Sequence, residues 1–317
     1  MNQILLITYN NSFYKNYLHD KEFQILEFQQ PLSNEAISKI EGLNFSGSAV
    51  LEINDNNLDI HKNIIDILKK KSAAVIAATG IITEKIKNYL MENGIADLFE
   101  TENAKELAGY INIINNKINP ELGRILILED INPRIEILKS IITRFGYEPV
   151  IINSIDIMFE KIEITSFQMI LLNLGTAGFD INKFTRKSKI SNIIKKIPVI
   201  PYKDMNRGLY INEMLAGLNR VANIILSSEE AYSYLLDILF RKELFRAVNK
   251  LNVSLEEENI AIYSQETLSR IYSLLGTNIF SMKNLFQNDK IENLKNITDS
   301  AREAIVKAQG LKWLRLK

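Results

Sequence analysis

Glu129 and Asp130 are the residues of this sequence best placed to do chemistry. They are adjacent carboxylates that follow the apolar run Ile125-Leu126-Ile127-Leu128. Behind them Asn132-Pro133 supplies a helix cap and a proline for the first helical position. An acid pair at the C-terminal end of a buried strand, beside a helix start, is a donor set for a divalent cation. Other chemistry has little to work with. There is no cysteine, which excludes disulfides and thiolate sites, and the only histidines are His19 and His61. Both are expected to be exposed, His61 on a helix.

The elements that must carry these residues can be read from periodicity. Ile125–Leu128 fits a strand buried on both faces, and Ile135, Leu138, Ile141, Ile142 and Phe145 then recur at helical spacing until Gly146 stops the helix. Further apolar runs at 169–172, 197–200 and 222–226 complete a set of strands. The same plan precedes it, with strands expected at 4–7, 49–53, 74–78 and 96–99 and helices from Ile60 to Leu68, Ile82 to Met91 and Ala104 to Ile114. Alternating strands and helices indicate parallel sheets. Residues 115–120 separate the two copies with turn formers and a proline but no long flexible tract, so the copies are expected to pack in a fixed or limited arrangement.

In order and spacing, residues 123–241 resemble the receiver domain of two-component response regulators. The resemblance rests on Glu129-Asp130, on the strand and loop from Met169 to Asp180, on the strand at 197–200 and on Ala222 to Ser228. It implies an α/β fold of two flavodoxin-like, doubly wound, five-stranded parallel sheets, strand order 2-1-3-4-5, over residues 1–117 and 122–245. In that family a phosphoryl group passes to an aspartate, assisted by Mg²⁺ on the acid pair and by a lysine. Here the acceptor position is Asn173, whose neutral amide cannot act as the nucleophile. The lysine position is Ser227, the switch threonine position is Lys203 and the switch aromatic position is Ile224. Glu129 and Asp130 are then either a residual, weak Mg²⁺ site or solvated acids at a strand end. Lys203 is a candidate to lie near Asn173 and neutralise them.

The first copy departs further. Thr8-Tyr9-Asn10 stand where an acid pair belongs, Glu52 takes the acceptor position, Thr79 the switch position and Thr101 the lysine position. Asp59 lies seven residues after Glu52, as Asp180 lies seven after Asn173, which supports the correspondence. Glu52 reads either as a fixed negative charge imitating a phosphorylated state or as a drifted surface acid.

Residues 246–317 change character. Leu268, Ile271, Leu275, Ile279 and Met282 form one helical stripe, and Leu294, Ile297, Ala301 and Ile305 form another. This hairpin resembles the dimerisation and phosphotransfer domain of histidine kinases, but no histidine follows His61 and no glycine-rich nucleotide loop is present. Two one-faced helices are expected to complete a four-helix bundle by homodimerisation, with packing onto the chain's own units as the competing solution. The basic residues from Lys307 to Lys317 suit an anionic surface or a helix C-terminus, with Trp313 closing the end of the bundle.

Composition narrows the functional class. Lys+Arg and Asp+Glu are equal at 38 each, so no global field favours nucleic acid. No apolar run reaches the length of a membrane span and no signal peptide is evident, which makes the cytoplasm the expected location. The resulting expectation is a non-enzymatic signalling protein, without cofactor beyond weak Mg²⁺, that binds partners such as a histidine kinase or a response regulator. The alternatives are a phosphatase or phosphotransfer modulator acting through the hairpin, and a small-ligand sensor around Glu129, Asp130 and Asn173.

Overall fold

A computed structural model describes residues 2–10, 23–45, 47–56, 58–71, 74–114, 120–203, 216, 218, 221, 222, 224–257 and 303–314. The first sheet contains β1 (Asn2–Thr8), β2 (Phe23–Gln29), β3 (Gly47–Glu52), β4 (Ala74–Thr79) and β5 (Asp97–Glu100), all parallel in the order β2-β1-β3-β4-β5. Among the described residues, helices α1 (Asn34–Gly42), α2 (Leu58–Lys70), α3 (Glu84–Glu92) and α4 (Ala104–Ile114) are interleaved with it. This is the expected order, and β2 is a strand that the periodicity did not reveal.

The second sheet has four strands: β6 (Arg124–Leu128), β7 (Glu148–Ile152), β8 (Met169–Asn173) and β9 (Val199–Tyr202), parallel in the order β7-β6-β8-β9. Helices α5 (Asn132–Arg144), α6 (Ile155–Ile164) and α7 (Ile181–Ile190) connect them, and α8 (Ser228–Glu257) follows as one continuous helix. The expected fifth strand at 222–226 is reduced to a single parallel bridge between Leu226 and Tyr202. The cause is local. Ser227, the next residue, already accepts the Glu230 N–H at 3.1 Å, so the chain enters α8 before a ladder can form.

Strand alternation sorts the apolar residues into three cores. Ile4, Leu6, Val50 and Ile76 face α4 residues Leu107, Tyr110 and Ile111 on one side of the first sheet. Leu126, Leu128, Ile170 and Leu172 form the core on the far side of the second. The largest cluster joins the two units: Leu5, Leu51 and Ala77 of the first sheet and Ile127, Leu171 and Tyr202 of the second belong to one contiguous core. Helix α5 sits in the middle of it, packed against both α3 and α8. Its buried side chains are Ile137, Leu138, Ile141 and Ile142; Ile135, expected on that face, is only half-buried, and Ile137 takes its place.

The boundary between the units is close-packed. At Gly94 (φ +60°) a Cβ would fall 2.9 Å from the Cα of Pro133, so the turn after α3 needs glycine both for its backbone angle and for this approach. Residues 303–309 are helical and lead into a 3₁₀ turn at Lys312–Leu314. This segment docks on the chain's own units. Leu311, Trp313 and Leu314 are buried in the joint core with Ile305 packed against it, and Trp313 Nε1 donates to the Ala96 carbonyl at 2.6 Å. The Leu98 N–H, on the edge strand β5, donates to the Gly310 carbonyl at 2.8 Å. Trp313 therefore closes the first sheet rather than the end of a helical bundle, and Ile305 is already committed to this core. Lys307 is buried as well, pairing with Glu243 at 3.0 Å and Glu303 at 3.1 Å, so it belongs to no free basic surface. The remaining dimer-seam residues, from Leu268 to Ala301, lie outside the described residues. No helix among the described residues is long and apolar enough to cross a membrane.

Candidate functional site

The C-terminal ends of β6, β8 and β9 bring Glu129, Asp130, Asn173 and Tyr202 together. Glu129 directly follows β6, and its side chain turns inward and is buried. Asn173 Nδ2 donates to both Glu129 oxygens at 2.9 Å, and the Tyr202 hydroxyl donates to Oε2 at 2.9 Å. The N–H groups of Asp130 and Ile131 donate to Oε1 at 2.9 and 3.0 Å. These last bonds replace the expected cap from Asn132, because α5 begins at Asn132 itself and its preceding residue Ile131 has no side-chain cap. The expected proline at the helix start is present as Pro133 in that first turn.

Every donor around Glu129 is a fixed protein group, so the carboxylate is held as an acceptor hub in a buried network. The Asn173 carbonyl oxygen faces the other way and accepts the Gly175 N–H at 2.8 Å. That fixes the amide orientation, with nitrogen towards Glu129. Burial raises the Tyr202 hydroxyl well above its ordinary pKa, with the negative Glu129 beside it acting in the same sense. The phenol therefore remains a donor throughout the neutral range. Asp130 is exposed, and its Oδ2 accepts the Ala177 N–H at 2.8 Å, tying the loop after β8 to the end of β6. The acid pair is thus split into a buried, saturated Glu129 and an outward Asp130. No group of three or more acids and histidines that could hold a metal ion occurs among the described residues.

Tyr202 is the residue that sequence reasoning missed. The candidate Lys203 lies one position later, just past the end of β9, where its N–H donates to the Leu226 carbonyl at 2.9 Å. The alternation of Tyr202 with Ile200, both inward with the joint core, was the available signal. Ser227 caps α8, and Ile224 is 61% exposed.

The equivalent end of the first sheet is arranged differently. Glu52 Oε2 accepts the Tyr9 N–H at 2.9 Å, and burial raises the Glu52 carboxyl while that N–H opposes the shift. Gln30 is stitched into the strand ends, its Nε2 donating to the carbonyls of Ile7 at 3.0 Å and Glu52 at 2.6 Å. The Thr79 hydroxyl donates to the Ile81 carbonyl at 3.1 Å, and Thr101 opens a 3₁₀ turn. Glu52 is thus a half-buried, bonded acid rather than a drifted surface one. His61 corrects another expectation: it lies on α2 but is 2% exposed, and neither ring nitrogen has a hydrogen-bond partner.

Searches against protein-family models and against curated proteins find no match. Among solved structures, a two-component system response regulator/GGDEF domain protein aligns at 11% identity over 75% of this chain and 99% of its own, with a TM-score of 0.36. D-lactate dehydrogenase from Escherichia coli aligns at 13% identity over 81% of this chain and 97% of its own, with a TM-score of 0.21. Neither likeness is close enough to carry a functional argument. The class of the molecule is therefore given by its own architecture: two parallel α/β units, one with strand order 2-1-3-4-5, joined through a common core.

Proposed function

We propose that this chain is a non-enzymatic signalling adaptor whose two receiver-like units bind protein partners and are not switched by phosphoryl transfer. The observation that supports this best is the Asn173 amide, which occupies the acceptor position and donates to both oxygens of Glu129. An amide there offers no nucleophilic carboxylate, and its bonds to Glu129 take the acceptor atoms that a Mg²⁺ ion would need. Tyr202 seals the same carboxylate from the third strand end. A switch of the usual kind has neither its acceptor nor its metal seat. What the fold retains is its packed surface, which suits recognition of other signalling proteins such as a histidine kinase or a response regulator. This reading includes a cytoplasmic homodimer formed through the stripe from Leu268 to Ala301.

Incubation with acetyl phosphate and Mg²⁺, followed by intact mass measurement, tests it. The expected result is an unchanged mass; a phosphoryl group mapped to either strand-end site would overturn it. Light scattering on the full chain tests the dimer separately.

A further inference from the structure

A cleft of about 350 Å³ lies between the two units, at the end of the first sheet opposite to Glu52 and Thr79. Strands β4 and β5 start there, so Val75 and Asp97 line it, together with Lys69 from the last turn of α2. The second unit contributes Glu136, Ser140 and Arg144 from α5. Clefts of this size at the meeting of two domains are where small molecules usually bind.

Three cations line the cleft, Lys69, Lys139 and Arg144, and Lys139 is the one paired with an acid of the wall other than Asp97. Arg144 is 7% exposed and spends Nη2 on Asp97 at 2.7 Å, but its buried Nη1 has no hydrogen-bond partner. Lys69 donates to the Asn93 backbone carbonyl and makes no ion pair among the described residues. Burial lowers the Lys69 ammonium, opposed by the charges of Glu136 and Asp66. The acids in the wall are already engaged: Glu136 pairs with Lys139 at 3.0 Å, and Asp97 takes bonds from both Arg144 and Tyr110. Among the described residues, no acceptor in the wall is in reach of Arg144 Nη1. An unpaired guanidinium N–H in a buried setting is costly, and a charged oxygen is its strongest partner.

We propose that this cleft binds a small oxyanion-bearing ligand, a carboxylate or a phosphate, between Lys69 and Arg144. Lys69 belongs to the first unit and Arg144 to the second, so the ligand ties the two together at a place unrelated to Glu129 and Asn173. The inference is independent of the adaptor reading.

Titration calorimetry and thermal unfolding of the full chain, with inorganic phosphate and with acetate in chloride buffer, test it. One of the two anions, or both, should bind with a stoichiometry near one and raise the unfolding temperature. A response to phosphate alone identifies the ligand head as a phosphate, and a response to acetate alone as a carboxylate. Lys69→Met should weaken binding about tenfold or more, as expected for loss of a charged hydrogen bond. Ser140→Phe, which fills the cleft and leaves both cations in place, should abolish it. Absence of heat and of any thermal shift with both anions at millimolar concentration would overturn the proposal. So would binding that survives both substitutions, since it would then lie elsewhere.

Discussion

Asp97, the first residue of β5, and Arg144, the last residue of α5, form an ion pair of 2.7 Å across the boundary between the two units, with neither side chain more than 7% exposed. Tyr110 completes the contact. Its hydroxyl donates to Asp97 Oδ1, and the guanidinium of Arg144 lies 4.5 Å from the centre of its ring. Burial raises the Tyr110 hydroxyl well above its ordinary pKa, with Arg144 opposing and Asp97 reinforcing the shift. A charged pair this deep specifies one arrangement of the two units, since any slip would leave an unpaired buried charge.

Asp97→Asn or Arg144→Met should therefore cost about 3–5 kcal/mol, because each strands the remaining group without its partner. The double variant should cost clearly less than the sum of the two. Denaturant unfolding of the four proteins measures the coupling, and strict additivity would show that the pair is not a bolt between the units.

Asn173→Asp should destabilise the second unit by about 3 kcal/mol, because it replaces a donor with a second acceptor beside buried Glu129. Mg²⁺ should recover part of that loss by bridging the two carboxylates. Tyr202→Phe removes one hydrogen bond to the same carboxylate and should cost about 1.5–3 kcal/mol. Thermal unfolding with and without MgCl₂ follows both variants, and a stabilised Asn173→Asp protein without metal would contradict the hydrogen-bond network.

Acid should weaken the first unit through His61. Burial lowers its pKa from 6.5 to about 4, so the unfolded chain binds the proton more readily than the folded one. The neutral imidazole's contribution is intact above the unfolded value and is lost as the pH falls from about 6.5 towards 4. Its full size is about 3 kcal/mol. Below that window His61 contributes no further change. His61→Phe should flatten this part of the stability profile measured by urea unfolding between neutral and acid pH, and an unchanged slope would remove His61 as its source.

Trp313→Ala should cost about 3–5 kcal/mol, the usual range for emptying a buried aromatic site. It should also expose the Leu98 amide, whose acceptor is the Gly310 carbonyl, to faster hydrogen exchange. Protection at Leu98 that survives the substitution would mean that β5 holds the 303–314 segment without Trp313.

Strands and helices in this chain were legible wherever one periodicity ran uninterrupted. Ile125–Leu128 and Met169–Leu172 are buried throughout, as a parallel strand covered on both faces requires. The relation of Asn173 to Glu129 was legible only as a correspondence of positions; that the amide would donate to both oxygens depends on a rotamer that no spacing encodes. Tyr202 sits beside the charged Lys203, and only its alternation with Ile200 marks the inward place of the phenol. Asp97 and Arg144 could not be paired in advance, because they belong to different repeats and meet only when the repeats dock. His61 reads as polar, yet its place on α2 faces the core, and the pattern of Ile64, Ile65 and Leu68 around it was the clue.

The bond from Leu98 to Gly310 and the seat of Trp313 against Ala96 also set a schedule. The first sheet leaves the ribosome early, but the groups that cover its outer strand are made some 217 residues later. Until then the nascent chain carries an open strand edge and a vacant apolar socket, both natural attachment points for a neighbouring polypeptide or a chaperone. Completion of the first unit is thus tied to synthesis of the second, and a ribosome that stalls between them would leave the leading half with its strand edge and apolar socket uncovered.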